Sequence, residues 1–295
     1  MKNIFKSSFA ILIGLSLTVV GCKKTSTPDP GGNNPPETFY ASTSPSMRMA
    51  VLEDFTGVRC GYCPDGHVKA QAIKDAYPKK IMIIATHGGS YAAPSPGWMD
   101  FTTPFASGLI TQSKLTGYPA GTMNRLPAAS LGATPMTPGG SAMGRGNWAG
   151  AADKVMLMPS PVNLGGVATW SVADEEVTVR VDMYFTSDET VPTNLYVGLV
   201  QDGIPSKQSG ATGTYIQNNV LRSMITGSWG EEVATAATKG TKITKTYKMV
   251  VPKVYNPNAV AADGGGASDI TKMRVIAYAS RGKEDILNGV EIAIK

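Results

Sequence analysis

Two cysteines three positions apart, in Cys60-Gly61-Tyr62-Cys63, are the residues of this chain whose type and spacing most directly imply chemistry. Thiols so spaced can close into a disulfide, exchange it with the thiols of another molecule, or ligate a soft metal. Pro64 follows, and the pattern from Asp65 to Tyr77 predicts a helix with Val68, Ala72, Ile73 and Ala76 on one face. At the N-terminus of that helix, Cys60 meets unsatisfied N–H groups and the positive end of the helix dipole, which both favour thiolate over thiol. The neighbouring guanidinium of Arg59 adds to the same bias. Cys63 lies one turn on, within reach to resolve a mixed disulfide formed on Cys60.

Three chemistries are open for this pair. In the first, Cys60 and Cys63 are catalytic and the reaction class is thiol–disulfide exchange. In the second, they form a permanent disulfide in a non-enzymatic surface binding or adhesion protein, a common fate of paired cysteines outside the cytoplasm. In the third, Cys60, Cys63, His67 and His87 hold a metal, either as a Cys₂His₂ zinc set or as a thiolate-rich copper site. His67 and His87 are the two histidines of the chain. No organic cofactor is expected.

The elements that must position the pair can be read around it. Met49 to Gly57 is a short apolar segment ending in glycine, and Ile81 to Ala85 is fully apolar; both predict buried strands. The order strand, Cys-x-x-Cys, helix, strand is the setting in which the motif carries redox meaning. A helix is expected within an insertion near residues 88–116, over Asp100 to Leu115. Another is expected from Asn147 as N-cap, with Trp148, Ala151, Ala152 and Val155 on one face.

From about Ser160 the character changes. Val162–Trp170, Glu176–Phe185, Leu195–Gln201, Tyr215–Ile225, Thr244–Val251, Met273–Ser280 and Val290–Ile294 predict strands, with clean alternation at Val177, Val179, Val181, Met183 and Phe185. Roughly seven short strands with frequent turns predict an all-β immunoglobulin-like sandwich over residues 160–295, following an α/β domain over 48–159. The second region has no cysteine or histidine, and fold by itself assigns it no function.

The N-terminus gives an address. Lys2 and Lys6 precede the apolar run from Phe9 to Val20, which is about 12 residues long where a spanning helix needs ~20. Residues 1–21 therefore predict a signal peptide. The run closes in Val19-Val20-Gly21-Cys22, which resembles the bacterial lipoprotein box and implies lipidation at Cys22. Residues 22–47, with Pro28-Asp29-Pro30-Gly31-Gly32-Asn33-Asn34-Pro35-Pro36, are too poor in apolar side chains to build a core and predict a disordered tether. The formal net charge of +5 falls to +3 once Lys2 and Lys6 are removed, with no dense basic block, which argues against nucleic acid as a partner. The expected partners are a membrane through the lipid, and envelope protein substrates or surface protein ligands.

Asp54-Phe55-Thr56-Gly57-Val58-Arg59-Cys60-Gly61-Tyr62-Cys63 resembles the thioredoxin active-site segment. The resemblance implies a thioredoxin-like domain, with Asp54 as the buried aspartate that moves protons for the second cysteine. Leu115-Thr116-Gly117-Tyr118-Pro119-Ala120-Gly121 resembles the thioredoxin cis-proline loop, which makes Tyr118 and Pro119 the residues that hold a substrate strand. The sequence departs from that family at Arg59, where thioredoxin has tryptophan, so an apolar docking surface is lost. Phe-Thr-Gly before the motif, Cys63-Pro64-Asp65-Gly66-His67 within it, Gly117-Tyr118-Pro119 and Met123-Asn124-Arg125 behind a lipoprotein box resemble one family more closely. That family is the Bacteroidetes outer-membrane lipoproteins named for a twenty-eight-kilodalton outer membrane protein. It implies a lipid-anchored outer-membrane location, facing the periplasm or the surface.

Overall fold

A computed structural model describes residues 38–256 and 266–295. Its first elements are β1 (Ser46–Met47), β2 (Ala50–Thr56), α1 (Cys63–Ala76), β3 (Ile81–His87), α2 (Ala106–Ser113), β4 (Ala120–Met123), β5 (Met143–Gly144) and α3 (Trp148–Val155). Every residue of β2, β3 and β4 is buried, as strands covered on both faces must be. β2 and β3 pair in parallel from Ala50 opposite Ile81 to Thr56 opposite His87, and β4 joins β2 antiparallel on its other edge. Ala50, Leu52, Ile81 and Ile83 pack against Ala70 and Ile73 of α1 and Trp148, Ala151, Ala152 and Val155 of α3.

The helices bury what their packing requires. α3 buries the four residues its sequence pattern marked. Asn147 stands at its N-cap, with no side-chain cap hydrogen bond. α1 differs from expectation: it begins at Cys63, and its buried face is Cys63, Gly66, Ala70 and Ile73. Val68 is 66% exposed, and Ala72 and Ala76 also face out. Gly66 decides this rotation, because a Cβ there would lie 3.2 Å from Pro119 Cβ and 3.4 Å from Trp148, so the helix approaches β4 along a residue with no side chain. The helix of the insertion is shorter than expected, with residues 89–105 largely irregular before it.

The second half supplies β6 (Pro159–Ser160), β7 (Val162–Ser171), β8 (Glu176–Phe185), β9 (Thr193–Gln201), β10 (Ile204–Ser206), β11 (Tyr215–Gln217), β12 (Val220–Met224), β13 (Glu231–Ala234), β14 (Lys242–Val250), β15 (Met273–Arg281) and β16 (Glu284–Ala293). The expected strand over Tyr215–Ile225 is thus two strands, β11 and β12, with Asn219 at positive φ between them. The last strand starts six residues before Val290.

These strands do not form a free-standing sandwich. β7, β8 and β14 make a three-stranded antiparallel sheet, and its inward residues Val177, Val179, Val181, Met183 and Phe185 pack on Leu195, Val197 and Leu199 of β9 and Val275, Ala277 and Ala279 of β15. β9, β15 and β16 belong to a nine-stranded mixed sheet in the order β16-β15-β9-β12-β3-β2-β4-β5, with β13 on β9. That sheet crosses from the first half to the second where β12 pairs in parallel with β3 at Val220 and Ala85. Tyr196, Val200, Ile276 and Tyr278 share a core with Val51, Phe55, Met82 and Ile84, and residues 39–295 cluster as one unit. The molecule is therefore β-rich, with a few helices around a mixed sheet.

Residues 39–47, at the end of the expected tether, lie against the three-stranded sheet: the Tyr40 N–H donates to Asp182 at 2.7 Å, and Asn163 donates to the carbonyls of Ser42 and Ser44. Cys22 and the signal segment lie outside the described residues.

Candidate redox site

β2 delivers its last residues to one end of the sheet, and the chain turns there into the cysteine loop. The turn is closed by Cys60 N–H to the Gly57 carbonyl at 2.9 Å and Cys63 N–H to the Cys60 carbonyl at 3.3 Å. Cys60 and Cys63 are joined in a disulfide, with Cα atoms 5.4 Å apart. Cys60 lies in the turn before α1 and Cys63 opens the helix, so the first cysteine stands three residues ahead of the helix and not at its N-terminus as expected. The Arg59 guanidinium donates to the Ser90 carbonyl. Tyr62, between the cysteines, is 72% exposed.

The disulfide itself is enclosed: Cys60 is 3% exposed and Cys63 fully buried. The cover comes from the segment linking β10 to β11. Ser209 N–H donates to the Val58 carbonyl at 2.8 Å, and the buried Gln208 amide donates to the carbonyls of Gly57 at 3.1 Å and Cys60 at 3.0 Å. Gln217 in turn donates to Gln208 Oε1 at 2.8 Å, fixing which way that amide points. Sequence reasoning missed all three. Ser209-Gly210 reads only as a loop, and glutamine at these positions belongs to no motif.

Beneath the first turn of α1 lies Asp54, in the middle of a strand and 1% exposed. Its Oδ1 has no hydrogen-bond partner, and Oδ2 stands 3.6 Å from Nε2 of His67. His67 Nε2 is also 3.0 Å from Thr56 Oγ1, and its Nδ1 is 2.7 Å from the hydroxyl of Tyr215. Burial pushes the Asp54 carboxyl up to about 8, and burial holds His67 down to about 4. Both groups are therefore neutral near pH 7, and the pair is not a salt bridge. Burial, reinforced by Asp54, raises the Tyr215 phenol to about 12. A cavity of about 190 Å³ opens on this group, with Asp54, His67, Gln71, Tyr215 and Asn219 on its walls and Val68 and Ile216 at its rim.

The Tyr118–Pro119 peptide bond is cis, and Pro119 packs on Gly66 in the first turn of α1. The sequence-marked residues Cys60, Cys63, Asp54 and Pro119 thus meet around the start of one helix. His87 does not join them as a ligand set. It is buried at the end of β3 against the Phe101 ring, both its nitrogens lack partners, and burial, followed by the charges of His67 and Arg222, holds it down to about 3. Among the described residues no three His, Cys, Asp or Glu side chains converge as a metal site.

A family model described as outer membrane protein Omp28 matches residues 106–262, beginning after the cysteine pair. No curated protein matches the chain. Among solved structures, HBP35 of Porphyromonas gingivalis is similar at a TM-score of 0.61 and 16% identity, over 84% of this chain and 76% of that one. A structural-genomics target from Agrobacterium tumefaciens gives a TM-score of 0.45 at 12% identity, over 83% of this chain and 94% of that one. At such identities the likeness to HBP35 speaks for the fold alone.

Proposed function

The chain belongs to the Omp28 family of outer membrane proteins, and from that premise we propose that it carries out thiol–disulfide exchange at the outer membrane, held there by lipid on Cys22. Cys60 and Cys63 are the reacting pair, set in a thioredoxin-like arrangement formed by β2, β3, β4, α1 and α3. The lipoprotein-box resemblance at Val19-Val20-Gly21-Cys22 supports the anchor. The three-stranded sheet stacked on β9 and β15 supports a sandwich-like second layer, fused to the first unit through the shared sheet.

One observation carries the exchange reading: Asp54. A carboxyl group buried with an unpartnered oxygen weakens the fold, and such groups persist where chemistry needs them. In the exchange, a thiolate of a reduced envelope protein attacks Cys60 Sγ and breaks the Cys60–Cys63 bond. Cys63 leaves with the bond's electron pair and takes the proton of the Asp54 carboxylic acid. A second thiolate of the substrate then attacks the substrate sulfur of the mixed disulfide and expels Cys60 as thiolate. The substrate ends as a disulfide, and Cys60 and Cys63 hold its two electrons.

The near-complete burial of Cys60 under Gln208 and Ser209 favours a second reading, in which the disulfide is permanent and the protein binds surface ligands without turnover. The two separate on the reduction potential of Cys60–Cys63 and on a trap. Exchange requires a potential above about −300 mV, the region below which structural disulfides fall. It also requires that Cys63→Ser accumulate mixed disulfides with envelope proteins. A lower potential with an empty trap establishes the structural reading. Palmitate labelling that disappears in Cys22→Ser tests the anchor.

A further inference from the structure

We propose that Tyr215 is a positioning residue that holds His67 with its proton on Nε2, so that a hydrogen-bond donor already faces Asp54 when that residue becomes a carboxylate. The proposal rests on the exchange reading for its purpose, but its geometry and its test stand apart from turnover.

The tautomer follows from the two partners of the ring. A neutral imidazole has one N–H and one lone pair, and the hydrogen bond at one nitrogen fixes the role of the other. A phenol O–H is a stronger donor than an imidazole N–H, and an imidazole lone pair is a stronger acceptor than a phenol oxygen. The 2.7 Å contact of Tyr215 with Nδ1 is therefore O–H donating to the lone pair. The proton then sits on Nε2, between Thr56 Oγ1 at 3.0 Å and Asp54 Oδ2 at 3.6 Å. While Asp54 keeps its proton, Thr56 is the better acceptor. Once Asp54 has protonated Cys63, its carboxylate is a buried charge, and a small rotation of the ring gives it a charge-assisted hydrogen bond. Burial opposes that carboxylate, and the Nε2–H offsets part of the cost.

The groups facing this carboxyl come from several elements. α1 contributes His67, and β11 contributes Tyr215. β3 contributes His87 at its end, which feels the charges of His67 and of Arg222 of β12. At the far wall of the cavity, Asn219 accepts from Lys74 of α1 and Arg274 of β15, both of which also pair with Glu291 of β16. Of these, His67 is the group that presents a donor to Asp54 Oδ2. Tyr215 stands 148 residues from His67 in sequence, on the hairpin whose loop covers Cys60. The same hairpin therefore encloses the disulfide and sets the ring beside the acid.

The chain has two histidines, so long-range ¹⁵N correlation spectra of the oxidised full-length protein resolve each imidazole. The expected result is the Nε2–H tautomer for His67. In Tyr215→Phe the Nδ1–H form appears, and the Asp54 carboxyl, followed by its ¹³C shift, titrates about one pH unit higher, the scale of one charge-assisted hydrogen bond. An Nδ1–H tautomer in the wild-type protein overturns the proposal whether or not the variant folds. So does an Asp54 titration in Tyr215→Phe that matches wild type. Neither measurement uses a substrate, so an empty Cys63→Ser trap would defeat exchange while leaving this geometry standing.

Discussion

Gly210 packs against the carbonyl of Gly61 so closely that a Cβ built on it would overlap that oxygen. Its φ of +81° is also a conformation that side chains resist. Gly210→Ala should therefore strain the closed loop by about 1–3 kcal/mol. Each 1.4 kcal/mol multiplies the open population about tenfold, so dithiothreitol should reduce Cys60–Cys63 about 5- to 150-fold faster in the variant. Equal rates, read by alkylation and intact mass, would show that the loop does not limit access.

Gln208 spends its amide on the carbonyls of Gly57, Cys60 and Ser209 and accepts from Gln217. Gln208→Ala leaves buried polar groups without partners. The expected loss is about 1–3 kcal/mol of unfolding free energy in urea, together with faster hydrogen exchange in residues 207–217. A variant as stable as wild type would mean that water replaces the amide at no cost.

Stability should peak near pH 6.5. Folded Asp54 holds its proton to about pH 8, against 3.8 when unfolded. Between those values the folded state keeps a proton the unfolded state releases, so stability falls as pH rises, by about 1.4 kcal/mol per unit. His67 and His87 work in the opposite sense: their folded values of about 4 and 3 lie below the ordinary 6.5, so acid favours the unfolded chain below pH 6.5. Two histidines outweigh one aspartate there, and the aspartate acts alone above. Asp54→Asn should abolish the alkaline slope and steepen the acid one, which the aspartate no longer opposes. Urea midpoints from pH 5 to 8.5 check both, and a flat wild-type profile would contradict them.

Arg125 and Glu53 form a buried ion pair at 2.6 Å, capped by the Tyr278 hydroxyl at 3.0 Å and by the stacked rings of Tyr196 and Tyr278. Arg125→Met strands the Glu53 charge and should cost about 3–5 kcal/mol. Glu53→Leu combined with Arg125→Met should cost less than the two single losses added together, since no lone charge remains. Calorimetric unfolding of the three variants measures the coupling.

What could be read in advance divides along a physical line. The alternation of β8 and the apolar face of α3 report burial through local spacing, and both stand where the residues put them. Asp54 stands out because the segment from Asp54 to Cys63 resembles that of thioredoxin, and the strand buries it. Val68 misled because an apolar side chain is not obliged to be buried, whereas Gly66 governs the helix approach through a side chain it lacks. Gln208 and Tyr215 were illegible because they act from about 150 residues away, the one in a polar loop and the other at the start of an expected strand, and Gln217 because it acts only through Gln208. The shared sheet was hidden for a related reason: a strand's pattern tells which face is covered, not which strand lies beside it.

That shared sheet also sets the order in which the molecule can be assembled. Val51, Phe55, Met82 and Ile84 are covered by Tyr196, Val200, Ile276, Tyr278 and Ile286, so an apolar face made early in synthesis waits for residues made near the end. Pairings of such sequence separation form slowly, and the waiting surface is prone to association. A chain delivered across a membrane from its N-terminus would expose this half-built sheet until its last strands arrived. Its yield should therefore depend on holdase chaperones in the compartment where it folds, and deletion of β15 and β16 should send the remainder to degradation or aggregates.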